Sequence, residues 1–300
     1  MKLAAIDIGS NAARLLVVEV IEHQGEKPQF IKLNLVRVPL RLGFDVFEYG
    51  FISAKREADL INTLKCFHLL MKVHEVDHSI VCATSAMRDA RNAEQIIGRI
   101  LYETGILIKV ISGKEEAATI FENHIEDYLD KDHAYLYIDV GGGSTELTLF
   151  DNNKPIFEES FNIGTIRLLK QKVEDKEWQR FKNFVKEETR NYKNLNAIGS
   201  GGNINKIFSL SKRKEGKPLN VSVLKEYLED FNQLDIEQRM IKYNLREDRA
   251  DVIIPALQIY TSVMRWASIT DIYVPKFGLA DGLVRKLYNE LQVLKPSTIH

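Results

Sequence analysis

Two stretches of the chain follow one plan, and that repetition limits the available folds more than any other feature. "DIGSNAARLLVVE" runs from Asp7 to Glu19, and "DVGGGSTELTLFD" from Asp139 to Asp151. Each sets an aspartate, a branched apolar residue and a glycine before a short polar turn and an apolar run. Each also opens a meander of strand, Gly turn, strand, turn, strand. In the first half the strands are read at Leu3–Ile8, over "LLVVEVI" and at Phe30–Val38. In the second they are read at Tyr135–Asp139, Glu146–Phe150 and Ile156–Asn162. Apolar runs of this length, punctuated by Gly, Asn, Asp and Pro, signal hairpins. Two such meanders predict a duplicated domain, and 300 residues leave room for two.

The helices are read from caps and spacing. Ser53 caps a helix over Ala54–Val73, with Ala58, Ile61, Leu64, Cys66, Leu69 and Leu70 as its apolar positions. Others are expected over Asn92–Thr104, Lys114–Asp127, Asp175–Asn194, Ser222–Asn232, Asp235–Tyr243 and Arg249–Ala267. Pro255 marks a kink or a start within the last of these. The expected domains are residues 1–124 and 125–281, with a terminal helix over 282–300 able to pack back on the first.

Composition excludes several classes. Hydrophobic residues make up 45%, charged residues 28%, and net charge is −1. That balance fits a soluble globular protein and gives no basis for a nucleic-acid partner or an anionic membrane surface. No apolar run reaches membrane-spanning length, and the run before Asp7 is too short for a signal peptide. Cys66 and Cys82 lack metal-ligand spacing and are expected as buried thiols in a reducing, cytoplasmic compartment. The seven histidines show no zinc spacing either.

The glycine loops point to phosphate. A dinucleotide fold needs a helix directly after the glycines, and a P-loop needs Gly-Lys-Ser/Thr; neither is present. Gly141, Gly142 and Gly143 are therefore hairpin residues, able to take positive φ and, without side chains, to bring bare amides close to an anion. Ser144 and Thr145 add hydroxyl donors. Asp139 and Glu146 bracket the same turn. Two carboxylates would repel a phosphate unless a divalent cation lay between, and hard oxygen ligands suit Mg²⁺.

Five motifs in order, "DIGSNAARLLV", "CATSAMRDARN", "VISGKEEA", "IDVGGGSTEL" and "NIGTIRL", resemble the exopolyphosphatase and guanosine pentaphosphate phosphohydrolase family. The resemblance continues to "RADVIIPAL" and "FGLADGL" and covers almost the whole chain. It implies an α/β fold of the actin-like ATPase superfamily, with two ribonuclease-H-like domains facing a cleft. Longer members carry an additional C-terminal helical domain, for which this chain is too short. The resemblance also implies removal of a terminal phosphate from polyphosphate or a guanosine polyphosphate, with Mg²⁺. Carried over, Glu116 is the general base, and Asp139, Glu146 and Asp7 are the metal carboxylates. The phosphate contacts are Gly9, Ser10, Asn11, Gly141, Gly142 and Gly143, with Arg88 as a cationic clamp. Spacing alone does not choose between Glu115 and Glu116; the motif does. The superfamily also suggests a homodimer, and hinges near Asn123–Asp132 and Pro275–Asp281.

Other residues keep two readings. Arg14 points into the cleft or outward. Arg167 meets substrate or serves structure. Gly199, Gly201 and Gly202 of "GSGGN" offer amides to an anion or nucleoside, or form a tight turn before a helix. Some family positions differ: Ala12 stands for a hydroxyl, and Ala118 and Ala280 for arginines. Each lost cation removes about 1–3 kcal/mol of charged hydrogen bonding. These replacements motivate an alternative function, a catalytically weak alarmone- or phosphate-binding regulator. An ATP-dependent small-molecule kinase of the same superfamily is a further alternative.

Overall fold

The structure, a computed structural model, describes residues 1–23, 25–121, 133–152, 154–275 and 277–294. The chain divides into two compact units, Met1–Asn123 with Phe277–His300, and His124–Lys276. The hinge expected near Asn123–Asp132 and the boundary at 124/125 fall outside the described residues.

The first unit opens with β1 (Lys2–Ile8), β2 (Ala13–Ile21) and β3 (Gln29–Val38). Then come α1 (Leu42–Tyr49), α2 (Ala54–Val73), β4 (His78–Ala83), α3 (Ser85–Asp89), α4 (Ala93–Thr104), β5 (Lys109–Val110) and α5 (Gly113–Phe121). The sheet order is β3-β2-β1-β4-β5. The meander is antiparallel, and β4 and β5 run parallel to β1 and β4 respectively. Ser53 caps α2 as its position predicts, accepting from the Arg56 amide. The buried face of α2 carries Leu60, Leu64, Phe67 and Met71, a clean three-to-four stripe. Cys66 and Leu69 lie beside that stripe and are exposed, so the expectation of a buried Cys66 is corrected. The expected strand at "ILIKVIS" shrinks to Lys109–Val110, and "TSAMRD" forms the short α3. The C-terminal helix Leu279–Leu294 packs on β1 and α5, and its Tyr288 meets Phe30 edge to face at 5.4 Å.

The second unit repeats the plan with β6 (Ala134–Val140), β7 (Thr145–Asp151) and β8 (Lys154–Phe161). After them come α6 (Thr165–Leu169), α7 (Asp175–Thr189), β9 (Leu195–Ser200), α8 (Gly202–Leu210), β10 (Leu219–Asn220), α9 (Val221–Asn232), α10 (Ile236–Tyr243), α11 (Glu247–Ala250), α12 (Ile253–Trp266) and β11 (Asp271–Tyr273). The order β10-β11-β9-β6-β7-β8 reproduces the first sheet and adds one antiparallel edge strand. Pro255 sits in the first turn of α12, where its missing N–H has no helical partner to lose.

Phe181 of α7 anchors this unit's core. It is fully buried, with ring centroids 4.5 Å from Phe161 and 5.5 Å from Trp266. The chain's two tryptophans, Trp178 and Trp266, both join this cluster. Phe181→Ala is expected to destabilise the second unit by about 3–5 kcal/mol, read from tryptophan fluorescence during urea unfolding. A midpoint unchanged from wild type would show that the cluster contributes little.

Candidate functional site

Both glycine hairpins turn their amides in a defined direction, because their carbonyls are already engaged. In the second hairpin the Gly141 amide donates to Ser144 O at 2.9 Å. Gly141 O accepts from the Thr165 amide at 3.0 Å, and Gly142 O from the Ile166 amide at 2.8 Å. Gly143 O accepts from Arg167 Nε at 2.6 Å. In a trans peptide the C=O of one residue and the N–H of the next point opposite ways. The amides of Gly142, Gly143 and Ser144 are therefore turned away from α6, together, as in an anion-binding nest.

The first hairpin is built the same way. Gly9 donates to Ala12 O at 3.0 Å, matching Gly141 and Ser144. Ser10 O accepts from Gly43 at 2.8 Å and Asn11 O from Arg41 at 3.0 Å, so the N-terminus of α1 does here what α6 does there. The amides of Asn11 and Ala12 consequently face away from α1. Ser10 Oγ bonds Ser85 Oγ at 2.7 Å and joins this loop to the "TSA" turn.

The side chains beside the loops differ in charge. Register partners on paired strands share a face. Across the first sheet the row reads Cys82, Asp7, Arg14, Arg37. Across the second it reads Ser200, Asp139, Glu146, Ser160. In the first row Arg14 Nη1 holds Asp7 Oδ2 at 2.7 Å, and Arg37 follows Arg14 on the next strand. Cys82 is pushed up to about 11 by burial and then by the Asp7 charge, so its thiol stays protonated. The second row sets two carboxylates directly opposite each other, with Glu146 only 1% exposed. Like charges so placed destabilise a strand pair. Ser160 Oγ donates to Glu146 Oε1 at 2.9 Å. Asp139 and burial together raise the Tyr260 hydroxyl well above its usual value, burial being the larger cause.

The donor set of the second row fits a hard divalent cation. Among the described residues no group of three or more His, Cys, Asp or Glu forms a metal cluster. One or two carboxylates completed by waters and substrate phosphates are the usual holding of Mg²⁺.

The N-terminus of α5 separates the two adjacent glutamates. Glu115 Oε2 accepts from the Ser112 amide at 2.9 Å, and the Glu115 amide donates to Ser112 Oγ at 3.1 Å. This is a capping box. The Ser112 amide, with Lys109 Nζ at 3.0 Å, lowers the Glu115 carboxyl to about 2. Glu115 is thus committed to the cap. Glu116, about 100° further round the helix, is half-buried with Oε2 shielded from solvent.

A model of the Ppx/GppA phosphatase family matches residues 19–291. The chain belongs to this family. It is 32% identical over 253 residues to the bifunctional 3-dehydroquinate synthase/phosphatase of Fusobacterium nucleatum, covering 80% of this chain and 35% of that one. The chain thus spans about a third of that relative's length. It is 24% identical to exopolyphosphatase 1 of Mycobacterium tuberculosis, covering 100% of this chain and 93% of that one. The crystal structure of an exopolyphosphatase from Cytophaga hutchinsonii superposes with a TM-score of 0.82 at 23% identity, covering 98% of this chain and 99% of that one. Such neighbours share the two-domain, actin-like and ribonuclease-H-like α/β architecture expected from the sequence.

Within this Ppx/GppA fold several expected site residues take structural work. None of Gly141, Gly142 and Gly143 uses the positive φ open to glycine. Close approach is demanded at Gly164 instead, where a Cβ would lie 2.5 Å from Gly142 and Gly143 backbone atoms. The Thr145 hydroxyl donates to Ile163 O at 2.5 Å and is fully buried, so it is a brace rather than an anion donor. Arg167 is a strut under the loop through Gly143 O. Arg88 Nη1 donates to Ile111 O at 2.8 Å and ties α3 to the start of α5. Gly199 is a packing glycine, because a Cβ there would meet Ile272 Cδ1 at 2.7 Å. Gly202 lies against the Arg249 guanidinium, which donates to its carbonyl. Gly201 alone of the three borders the acid row: its φ is +115°, and a Cβ would sit 3.4 Å from Asp139 Oδ1. Ser200, Ser160, Gly164 and Tyr260 lie beyond what the sequence reading singles out, although pairing the second and third strands of the meander flags Ser160 opposite Glu146.

Gly164→Ala forces the loop and α6 apart. Overpacking of this kind is expected to cost about 1–3 kcal/mol, read as a lowered urea midpoint. Wild-type stability in this variant would mean that the loop is not clamped as described.

Proposed function

We propose that this chain is a Mg²⁺-dependent phosphoanhydride hydrolase releasing terminal phosphate from inorganic polyphosphate or guanosine pentaphosphate. The observation that carries the reading is the contrast between the two rows: Asp7 with Arg14 and Arg37 beside one amide loop, Asp139 with Glu146 beside the other. Terminal-phosphate hydrolysis needs anion donors, charge neutralisation and a proton acceptor. The amides of Asn11 and Ala12 in the first unit, and those of Gly142, Gly143 and Ser144 in the second, each offer donors to phosphate oxygens. Arg14 adds positive charge, its guanidinium aligned by the buried Asp7. Asp139 and Glu146 hold the cation, which would neutralise phosphate charge when bound. Glu116 takes the proton from the water attacking the terminal phosphorus, while the bridging oxygen leaves with the shortened chain. Membership of a phosphatase family and the names of the mycobacterial and Cytophaga relatives support this assignment. Among the described residues no helix is long and apolar enough to cross a membrane.

The alanines at 12, 118 and 280 favour a second reading, a phosphate- or alarmone-binding regulator with weak turnover. The two readings separate on phosphate release from purified protein offered polyphosphates of several lengths, guanosine pentaphosphate, ATP and pyrophosphate. Release from polyphosphate or the pentaphosphate supports the hydrolase; tight binding without release supports the regulator.

Glu116→Gln is expected to lower kcat by about 10²–10⁴-fold while substrate binding persists. Glu115→Gln keeps its capping box and is expected to retain wild-type turnover. Equal losses in both variants would remove Glu116 from the chemistry. Asp139→Ala should lose activity together with its response to added Mg²⁺, whereas a Mg²⁺ titration unchanged from wild type would place the cation elsewhere.

A further inference from the structure

The acid row of the second sheet has a member that neither the motifs nor the resemblance assigns. Ser200 ends β9 in register with Asp139, whose partner on the other side is Glu146. Three oxygen-bearing side chains therefore stand abreast on one face. Ser200 is 1% exposed, and its Oγ makes no hydrogen bond among the described residues. Buried hydroxyls are nearly always satisfied, so one without a partner calls for an explanation. Ser160, at the other end of the row, shows the ordinary outcome, since its Oγ is bonded to Glu146.

The surroundings aim Ser200 at the acids. The Tyr260 hydroxyl, itself 1% exposed, donates to the Ser200 carbonyl and fixes the end of β9. Gly201 follows with φ +115°, and its missing Cβ leaves room for Asp139 Oδ1 beside that strand end. The Asp139 carboxylate consequently lies close to β9, with the Ser200 hydroxyl next in the row. Serine oxygen is a hard donor of the kind that accompanies carboxylates around Mg²⁺.

We propose that Ser200 Oγ is a direct ligand of the divalent cation, completing a three-oxygen set with Asp139 and Glu146. The inference rests on the proposed function only in taking those two carboxylates as the cation's holders. The duplicated fold supplies a useful variant. Cys82 occupies the matching place beside Asp7 in the first sheet, so a cysteine fits at this register position. Ser200→Cys then exchanges a hard ligand for a soft one with little change in shape.

The test uses the full chain and Mn²⁺ alone, then Mn²⁺ with inorganic phosphate, reading bound metal by electron paramagnetic resonance and Cd²⁺ by competition. Metal-free thermal unfolding checks that each variant folds. Ser200→Ala is expected to weaken Mn²⁺ binding about 10-fold. Ser200→Cys should raise the preference for Cd²⁺ over Mn²⁺ about 10-fold or more, because thiolate selects soft metals. Wild-type Mn²⁺ affinity in Ser200→Ala overturns the proposal. So does an unchanged Cd²⁺/Mn²⁺ ratio in Ser200→Cys, which would assign any loss in the alanine variant to packing. In both cases a loss of Mn²⁺ binding in Asp139→Ala leaves the carboxylate site standing. If wild type binds no Mn²⁺ under either condition, or Asp139→Ala binds as wild type, the carboxylate site itself fails and Ser200 with it.

Discussion

The antiparallel register of β6 and β7 is the constraint on which the proposed chemistry depends. It sets Asp139 opposite Glu146 and Ile138 opposite Leu147. A slip of one residue would turn every side chain of a strand to the other face. Slippage is resisted because Leu136, Ile138, Leu147 and Leu149 are all fully buried on the alternate positions. Their burial stabilises by about 1.5–3 kcal/mol per side chain, which offsets the repulsion of two carboxylates held side by side. The apolar core thus maintains a charge arrangement that an isolated hairpin would not keep.

Duplication explains why the two hairpins can divide the work. Both keep the glycine that closes the turn, and both have their carbonyls occupied by the helix that follows the third strand. What stays is the aspartate; its row neighbours change, from Cys82, Arg14 and Arg37 in the first sheet to Ser200, Glu146 and Ser160 in the second. The exchange of Arg14 for Glu146 and of Arg37 for Ser160 leaves a cationic row in one sheet and an anionic row in the other. The net charge of −1 conceals this separation, because the two rows nearly cancel in a whole-chain count. Composition is a poor guide to an anion-handling site when the site carries its own counter-charge.

The repeated meander, the caps and the pairing of Asp139 with Glu146 are legible because each depends on neighbours in sequence. Ser53 and α2 depend on local hydrogen bonding, and Asp139 and Glu146 on the turn between them. The misread residues depend on partners far along the chain. Thr145 was read as a donor, but Ile163 O takes its proton. Gly199 keeps two readings in the sequence, an amide donor or a tight turn, and in the fold Ile272 takes the space a side chain there would need. Arg167 was left between two roles, and Gly143 O decides for the structural one at its Nε. Cys66 differs for a local reason: the expected stripe shares Ile61 and Leu64 with the true face of α2 but then takes Cys66 and Leu69 where the face continues through Phe67 and Met71. Glu115 and Glu116 show the converse. The motif alone distinguished them in the sequence, and the capping box with Ser112 now supplies a physical reason for the same choice.

The pairing of Asp7 with Arg14 bears on how an anion would be received. Asp7 has a side chain 4% exposed, whereas Arg14 is 35% exposed and 2.7 Å away. Removing either partner would leave the other charge in a partly buried setting, and that costs more than the pair contributes. An arriving phosphate need not displace the acid. Guanidinium offers five N–H donors in a fixed plane, enough to serve a carboxylate on one edge and a phosphate on another. The acid then limits the rotamers open to Arg14, so less side-chain entropy remains to be lost on binding. On the proposed reading Asp7 would act through Arg14 on the phosphate side, and the cation would fall to the row of Asp139 and Glu146.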